Sequence, residues 1–364
     1  MILRFYPTKD STIYEQYPSK NTGLDAILEI NKIIVNSSSY NSRILLNFDY
    51  NAISSSIAGL GYNPNLFNYN LKMFVAEANE IPTDYSLYCY PTSGSWDMGV
   101  GRYGNSPETT TGVSWTYRKS ADDANSRWET GSLAANISSS WATTAGGGVW
   151  YNNFVASQSF SYTTSDIDMD ITNIVRGIQS SSFNFTGLIL KKGGTDESST
   201  DLFSSLKFFS KDTHTVYLPI IEAKYNDSVT TGSLQLINTN EDVNVLAINL
   251  KPSYKENSTP IIRISSRYTY PVQTFATESG YLTRYRLPAG SQYAIYSAHT
   301  DDVVIDFSTY TTLSDDATSN FIKLHLDSFQ PERYYRLLIK VPDSGSNSTH
   351  NIYDNKWIFK VTRS

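Results

Sequence analysis

Five of the six tryptophans in this 364-residue chain fall in one window: Trp96, Trp115, Trp128, Trp141 and Trp150. An indole face can stack on a sugar ring or anchor a protein interface, and Trp is enriched among interface hot spots. The same rings can pin a long segment onto a sheet as a satellite core. That reading leads, because buried Trp more often serves packing, but interface and glycan platform stay open beside it. Asp166-Ile-Asp-Met-Asp-Ile171 is the most regular charge pattern. On a strand its three carboxylates share one face, where they could ligate calcium. A solvated outer face whose last member caps a following helix is the favoured reading, so no metal ligand is assigned.

Other chemistry is scarce. His214, His299, His325 and His350 lie in no H-E-x-x-H pattern and near no G-x-S-x-G elbow. Asp122-Asp123, Asp301-Asp302 and Asp315-Asp316 sit in turn-like contexts. Gly99-Val-Gly101 is followed by no helical pattern, so it is not a dinucleotide fingerprint. Cys89 is the single cysteine and has no intrachain partner for a disulfide. The expectation is a protein that is not an enzyme and needs no cofactor.

The elements that must position these residues are strands. Aromatics make up 13% of the chain and charged residues 18%, a balance that favours sheet over helix. Short alternating segments such as Tyr85-Ser-Leu-Tyr-Cys-Tyr90 recur between Gly, Pro, Asn, Asp and Ser clusters. One helix is expected over Asp170–Ile178, from the spacing of Ile171, Ile174, Val175 and Ile178. A polar stretch, Asn226–Gly232, follows a strand that ends at Tyr225. The charge changes there too: residues 230–364 hold 13 basic and 13 acidic groups, and residues 1–229 hold 16 and 22. The predicted domains are therefore 1–228, with a long Trp-rich insertion over about 104–150, and 229–364. Neither carries a basic patch, which disfavours nucleic acid. No apolar run is long enough for a membrane span, and no signal peptide is visible at Met1-Ile-Leu-Arg-Phe-Tyr-Pro7.

Particular segments point further. In the first domain these are Asp10-Ser-Thr-Ile-Tyr14, Lys20-Asn-Thr-Gly23 and Ser42-Arg-Ile-Leu-Leu-Asn-Phe-Asp49. Asn70-Leu-Lys-Met-Phe74, Gly112-Val-Ser-Trp115, Asp168-Met-Asp-Ile-Thr172 and Phe185-Thr-Gly-Leu-Ile-Leu190 follow. Together they resemble the DNRLRE-type β-sandwich, related to jelly-roll carbohydrate-binding modules. Arg284-Tyr-Arg-Leu-Pro288, Asp306-Phe-Ser-Thr-Tyr-Thr311 and Arg333-Tyr-Tyr-Arg336 are similar to immunoglobulin-like C-terminal domains of tailed-phage virion proteins. The resemblance implies an all-β chain, an N-terminal jelly-roll-type β-sandwich followed by an immunoglobulin-like β-sandwich. It implies a non-enzymatic structural component of a tailed-bacteriophage virion, assembled in the bacterial host cytoplasm. Such a subunit would dock at the neck, tail or fibre-attachment region as a homo-oligomer with other virion proteins. The alternative is a carbohydrate-binding module that holds a polysaccharide, in virus adsorption or on a cell surface.

Overall fold

The structure, a computed structural model, describes residues 1–78, 85–128, 137–139, 146–160, 166–199, 205–272, 280–343 and 349–364. Among the described residues strand takes 42% and helix 12%, against averages of roughly 20–25% and 30–35%. The chain is all-β. It forms two compact units, Phe5–Ala223 and a second made of Met1–Arg4 with Lys224–Ser364. The sequence places the change at Asn226–Gly232; the structure puts it just before Lys224 and assigns the first four residues to the C-terminal unit.

In the Phe5–Ala223 unit the main sheet runs, in spatial order, Ala156–Phe160, Tyr85–Pro91, Leu188–Lys192, Ser38–Asn47 and Lys9–Tyr14, all antiparallel. Leu188, Ile189 and Leu190 sit opposite Leu46, Leu45 and Ile44, so Ile44, Leu46, Leu188 and Leu190 share one face. Ile13, Leu45 and Ile189 share the other. All seven are buried, which explains why Arg43-Ile-Leu-Leu-Asn-Phe48 loses the alternation of a half-exposed strand. Three strands of a second sheet run Ile220–Lys224, Asn68–Met73, Ile167–Asp170, and a third sheet runs Ile27–Ile30, Leu206–Phe209, Val75–Ala78.

Three helices punctuate the described part of this unit: α1 (Tyr50–Gly59), α2 (Thr172–Gln179) and α3 (Gly194–Ser198). Helix α2 is the one expected from Asp170–Ile178, with Ile174 and Val175 buried. The carboxylate of Asp170 accepts from the Thr172 amide at 2.8 Å, at the first helical residue.

The C-terminal unit is a sandwich of a four-stranded and a five-stranded sheet. One runs Val243–Ala247, Ile261–Tyr268, Asn320–Lys323, Ser314–Asp315. The other runs Ser253–Lys255, His350–Thr362, Arg333–Pro342, Gln292–Ser297, Val303–Ile305. In chain order these are the A-B-E-D and G-F-C arrangements of an immunoglobulin sandwich. The short Ser253–Lys255 strand crosses over to pair parallel with the last strand. Val245, Ile262, Ile264 and Ile322 from one sheet meet Ile295, Leu337, Ile339, Phe359 and Val361 from the other in a single core. The Tyr335 hydroxyl donates to the Gln330 carbonyl at 2.8 Å, near the start of the Arg333–Pro342 strand, where immunoglobulin sandwiches place their tyrosine corner.

Candidate functional site

The tryptophans form a layer on the outer face of the main sheet. Trp96, Trp115, Trp128 and Trp150 are 2%, 3%, 0% and 8% exposed and pack with Val113 and Val149 against Ile13, Leu45 and Ile189. A buried ring offers no face to a sugar or a partner, so these four are core and not surface anchors. Trp141 lies outside the described residues. Arg43 explains why a cation tolerates this place: its guanidinium lies 4.8 Å from the Trp115 ring and 5.4 Å from Trp150. It also donates to both Glu197 oxygens at 2.9 and 2.8 Å and to the Gly147 carbonyl. Lys191 reaches Glu197 at 3.0 Å. Burial pushes the Glu197 carboxyl up, but Arg43 and Lys191 outweigh it and hold the group below its ordinary value.

The aspartates of Ile167–Asp170 and its flank bind within the protein. Asp166 accepts from the Val75 amide, Asp168 from the Asn70 side chain, and Asp170 from Thr172, each at 2.8 Å. Lys72 stands 3.7 Å from Asp168. Among the described residues no group of three or more His, Cys, Asp or Glu could hold a metal ion. No helix among them is long and apolar enough to cross a membrane.

An open cleft of about 760 Å³ lies elsewhere in the unit, lined by Tyr14, Asp25, Glu29, Asn31, Tyr103 and Phe209 among others. Its floor is the outward face of the Ile27–Ile30, Leu206–Phe209, Val75–Ala78 sheet. There Glu29, Lys207 and Glu77 form one cross-strand row, and Ile27 faces Phe209 in the next. Leu28, Ile30, Leu206 and Phe208 alternate inward and are buried.

Tyr103 forms the rim and is 43% exposed. Its ring centroid lies 5.1 Å from that of Tyr14 and 5.7 Å from that of Tyr17. Lys20 sits 4.3 Å from the Tyr17 ring and 4.8 Å from the Tyr103 ring. The Tyr103 amide donates to both oxygens of Asp25 at 3.1 Å. Burial raises the Asp25 carboxyl above its ordinary value, partly countered by that amide. Burial, with Tyr17 next, pushes the Tyr103 phenol up to about 12.

Asn21 sets the height of that rim. It is fully buried. Its Nδ2 donates to the carbonyls of Met98 and Val113, both at 2.8 Å. Its Oδ1 accepts from the Gly101 amide at 2.8 Å and from Gly23 at 3.3 Å. Gly99, with φ of 79°, and Gly101 press against Asn21 so closely that any β-carbon there would overlap it. The glycines at 99 and 101 thus serve close backbone approach, and the Lys20–Gly23 turn is one half of a clasp.

Glu29 is held entirely by neutral donors. Tyr14 Oη donates at 3.1 Å, Asn31 Nδ2 at 2.9 Å and Ser205 Oγ at 2.9 Å. The Tyr14 phenol is pushed far up, first by burial and then by Glu29. The site combines an exposed ring, a half-buried aromatic wall and fixed polar groups in an open trough.

No family model matches the chain, and no curated protein matches it. Among solved structures, the adhesin domain of Epf from Streptococcus pyogenes is similar over 100% of this chain and 92% of its own. The identity is 10% and the TM-score 0.16, and a score that low carries no argument about fold or role.

Proposed function

We propose that the Phe5–Ala223 unit is a carbohydrate-binding β-sandwich, with the cleft over Glu29 and Lys207 as its sugar site. It would act in virus adsorption or at a cell surface. One observation carries the reading: the Tyr103 ring stands exposed over a trough whose walls offer Asp25, Glu29 and Asn31 at fixed positions. A flat apolar ring beside a few oriented polar groups suits a pyranose, with its apolar faces and its belt of hydroxyls. The two carboxylates suit binding rather than turnover, since both oxygens of each already accept hydrogen bonds and neither is poised to pass a proton.

The virion role implied by the sequence resemblance belongs to the same proposal as its setting. Docking through the tryptophans has lost its support, because four of those rings are core. Affinity electrophoresis of the whole protein through gels holding different polysaccharides tests the sugar site. Retardation by at least one polysaccharide is expected, weakened roughly tenfold or more by Tyr103→Ala. Free migration through every gel, or retardation untouched by Tyr103→Ala, would remove the cleft as a sugar site.

A further inference from the structure

We propose that this cleft selects glycans whose sugars carry a protonated amine, and rejects glycans that carry carboxylates. The inference rests on the carbohydrate reading above and adds to it the sign of the charge. Three carboxylates line the trough, Asp25, Glu29 and Glu77, against one lysine, Lys207. Lys207 is already committed to Glu77 at 2.8 Å. Among the described residues neither Asp25 nor Glu29 has an ion-pair partner: Asp25 takes a backbone amide and Glu29 takes two hydroxyls and a carboxamide.

The cations that act on Asp25 from outside the lining are Arg102 and Lys20. Lys20 is itself paired with Glu108 at 3.0 Å. The floor therefore keeps an acidic excess facing the ligand. In a half-enclosed trough such charge is less screened than on an open surface, so an incoming carboxylate meets repulsion and an ammonium meets attraction. The Tyr103 ring, which already holds the Lys20 ammonium at 4.8 Å, is of the kind that attracts ammonium groups over its faces. Charge and ring point to the same ligand group.

The test uses the whole protein and three oligosaccharides of equal length: a glucosamine oligomer, its N-acetylated form and an oligogalacturonate. Titration calorimetry is expected to show the glucosamine oligomer binding at least about tenfold more tightly than the oligogalacturonate. Its advantage over the acetylated form should shrink as NaCl rises from about 50 to about 500 mM. Glu29→Gln and Asp25→Asn should each lower the ratio of glucosamine to galacturonate affinity. The wild-type panel stands by itself should either variant fold poorly.

Equal or tighter binding of the oligogalacturonate overturns the inference and leaves the carbohydrate reading intact. So does an amine advantage that ignores salt. Silence from all three oligomers, in a protein that also passes freely through every polysaccharide gel, removes both. A lysine oligomer that competes as well as the glucosamine oligomer would show a cleft reading charge alone, and would remove the sugar assignment.

Discussion

At Asn21 one buried carboxamide fills all four of its hydrogen-bonding roles, two as donor and two as acceptor. Asn21→Ala strands two carbonyls and two amides, at a cost of about 1–3 kcal/mol for each that stays dry. A loss of roughly 3–5 kcal/mol in urea unfolding is expected, together with weaker sugar binding as Tyr103 loses its seat. A loss below about 1 kcal/mol would show that the clasp is redundant. Glu197 is the matching case among charges. Glu197→Gln removes the charged acceptor that both Arg43 and Lys191 bond inside the unit, and should cost about 3–5 kcal/mol in the same measurement. Neither residue stood out in the sequence. Lys20-Asn-Thr-Gly23 was visible as a turn, but its partners lie 77 and 92 positions away, and no spacing rule links them. The tryptophans stood out by their density, yet residue type does not tell a buried ring from an exposed one.

Elements were more legible, with instructive exceptions. Strand periodicity located most of the ladder, and the spacing at Ile174 and Val175 located α2. Helix α1 was not foreseen although its signals exist. Asp49 caps it by accepting from the Ala52 amide at 3.0 Å, and Ile53 and Ile57 form its buried stripe. Two anchors around Ser54-Ser-Ser56 make a faint pattern, since serine favours caps and turns over helix interiors. Tyr281–Leu287 alternates like a strand but begins as a 3₁₀ turn, Gly280–Leu282, and then makes only isolated bridges at Tyr285 and Arg286. Its neighbour explains this. Asn320–Lys323 already pairs with Ile261–Ile264, so little free edge is left for a long partner. In the same unit, Tyr335→Phe keeps the ring in the core and removes the hydroxyl that donates to Gln330. Thermal unfolding should show a loss of about 0.5–1.5 kcal/mol.

For the molecule as a whole, two buried acids of the Phe5–Ala223 unit pull stability in opposite directions with pH. Burial raises the Asp10 carboxyl from 3.8 to about 7, although the Lys211 amide bonds it. The folded unit keeps a proton there that the unfolded chain releases near pH 4. The contribution of Asp10 is therefore complete below that point and is lost as pH climbs towards 7. Glu197 is held below its ordinary value, so its contribution is complete above the ordinary carboxylate range and is lost on acidification. Asp10→Asn should flatten the decline between about pH 4 and pH 7, by roughly 2–4 kcal/mol, and leave the acid limb alone. Urea midpoints measured against pH in both proteins check this, and an unchanged slope would deny Asp10 the role. The all-β class and the change of charge at the domain boundary were legible because composition and periodicity report on them. The cleft was not, because Tyr14, Glu29, Glu77 and Lys207 come from four strands and Tyr103 from a loop, drawn from half the chain.

The clasp at Asn21 also sets a schedule for synthesis. A ribosome that adds about 5–20 residues per second makes Asn21 roughly 5–20 seconds before Val113, the last of its partners. Until that residue leaves the exit tunnel, the first turn of the unit has no lock, and the rim of the cleft is completed only when the middle of the domain comes back to its beginning.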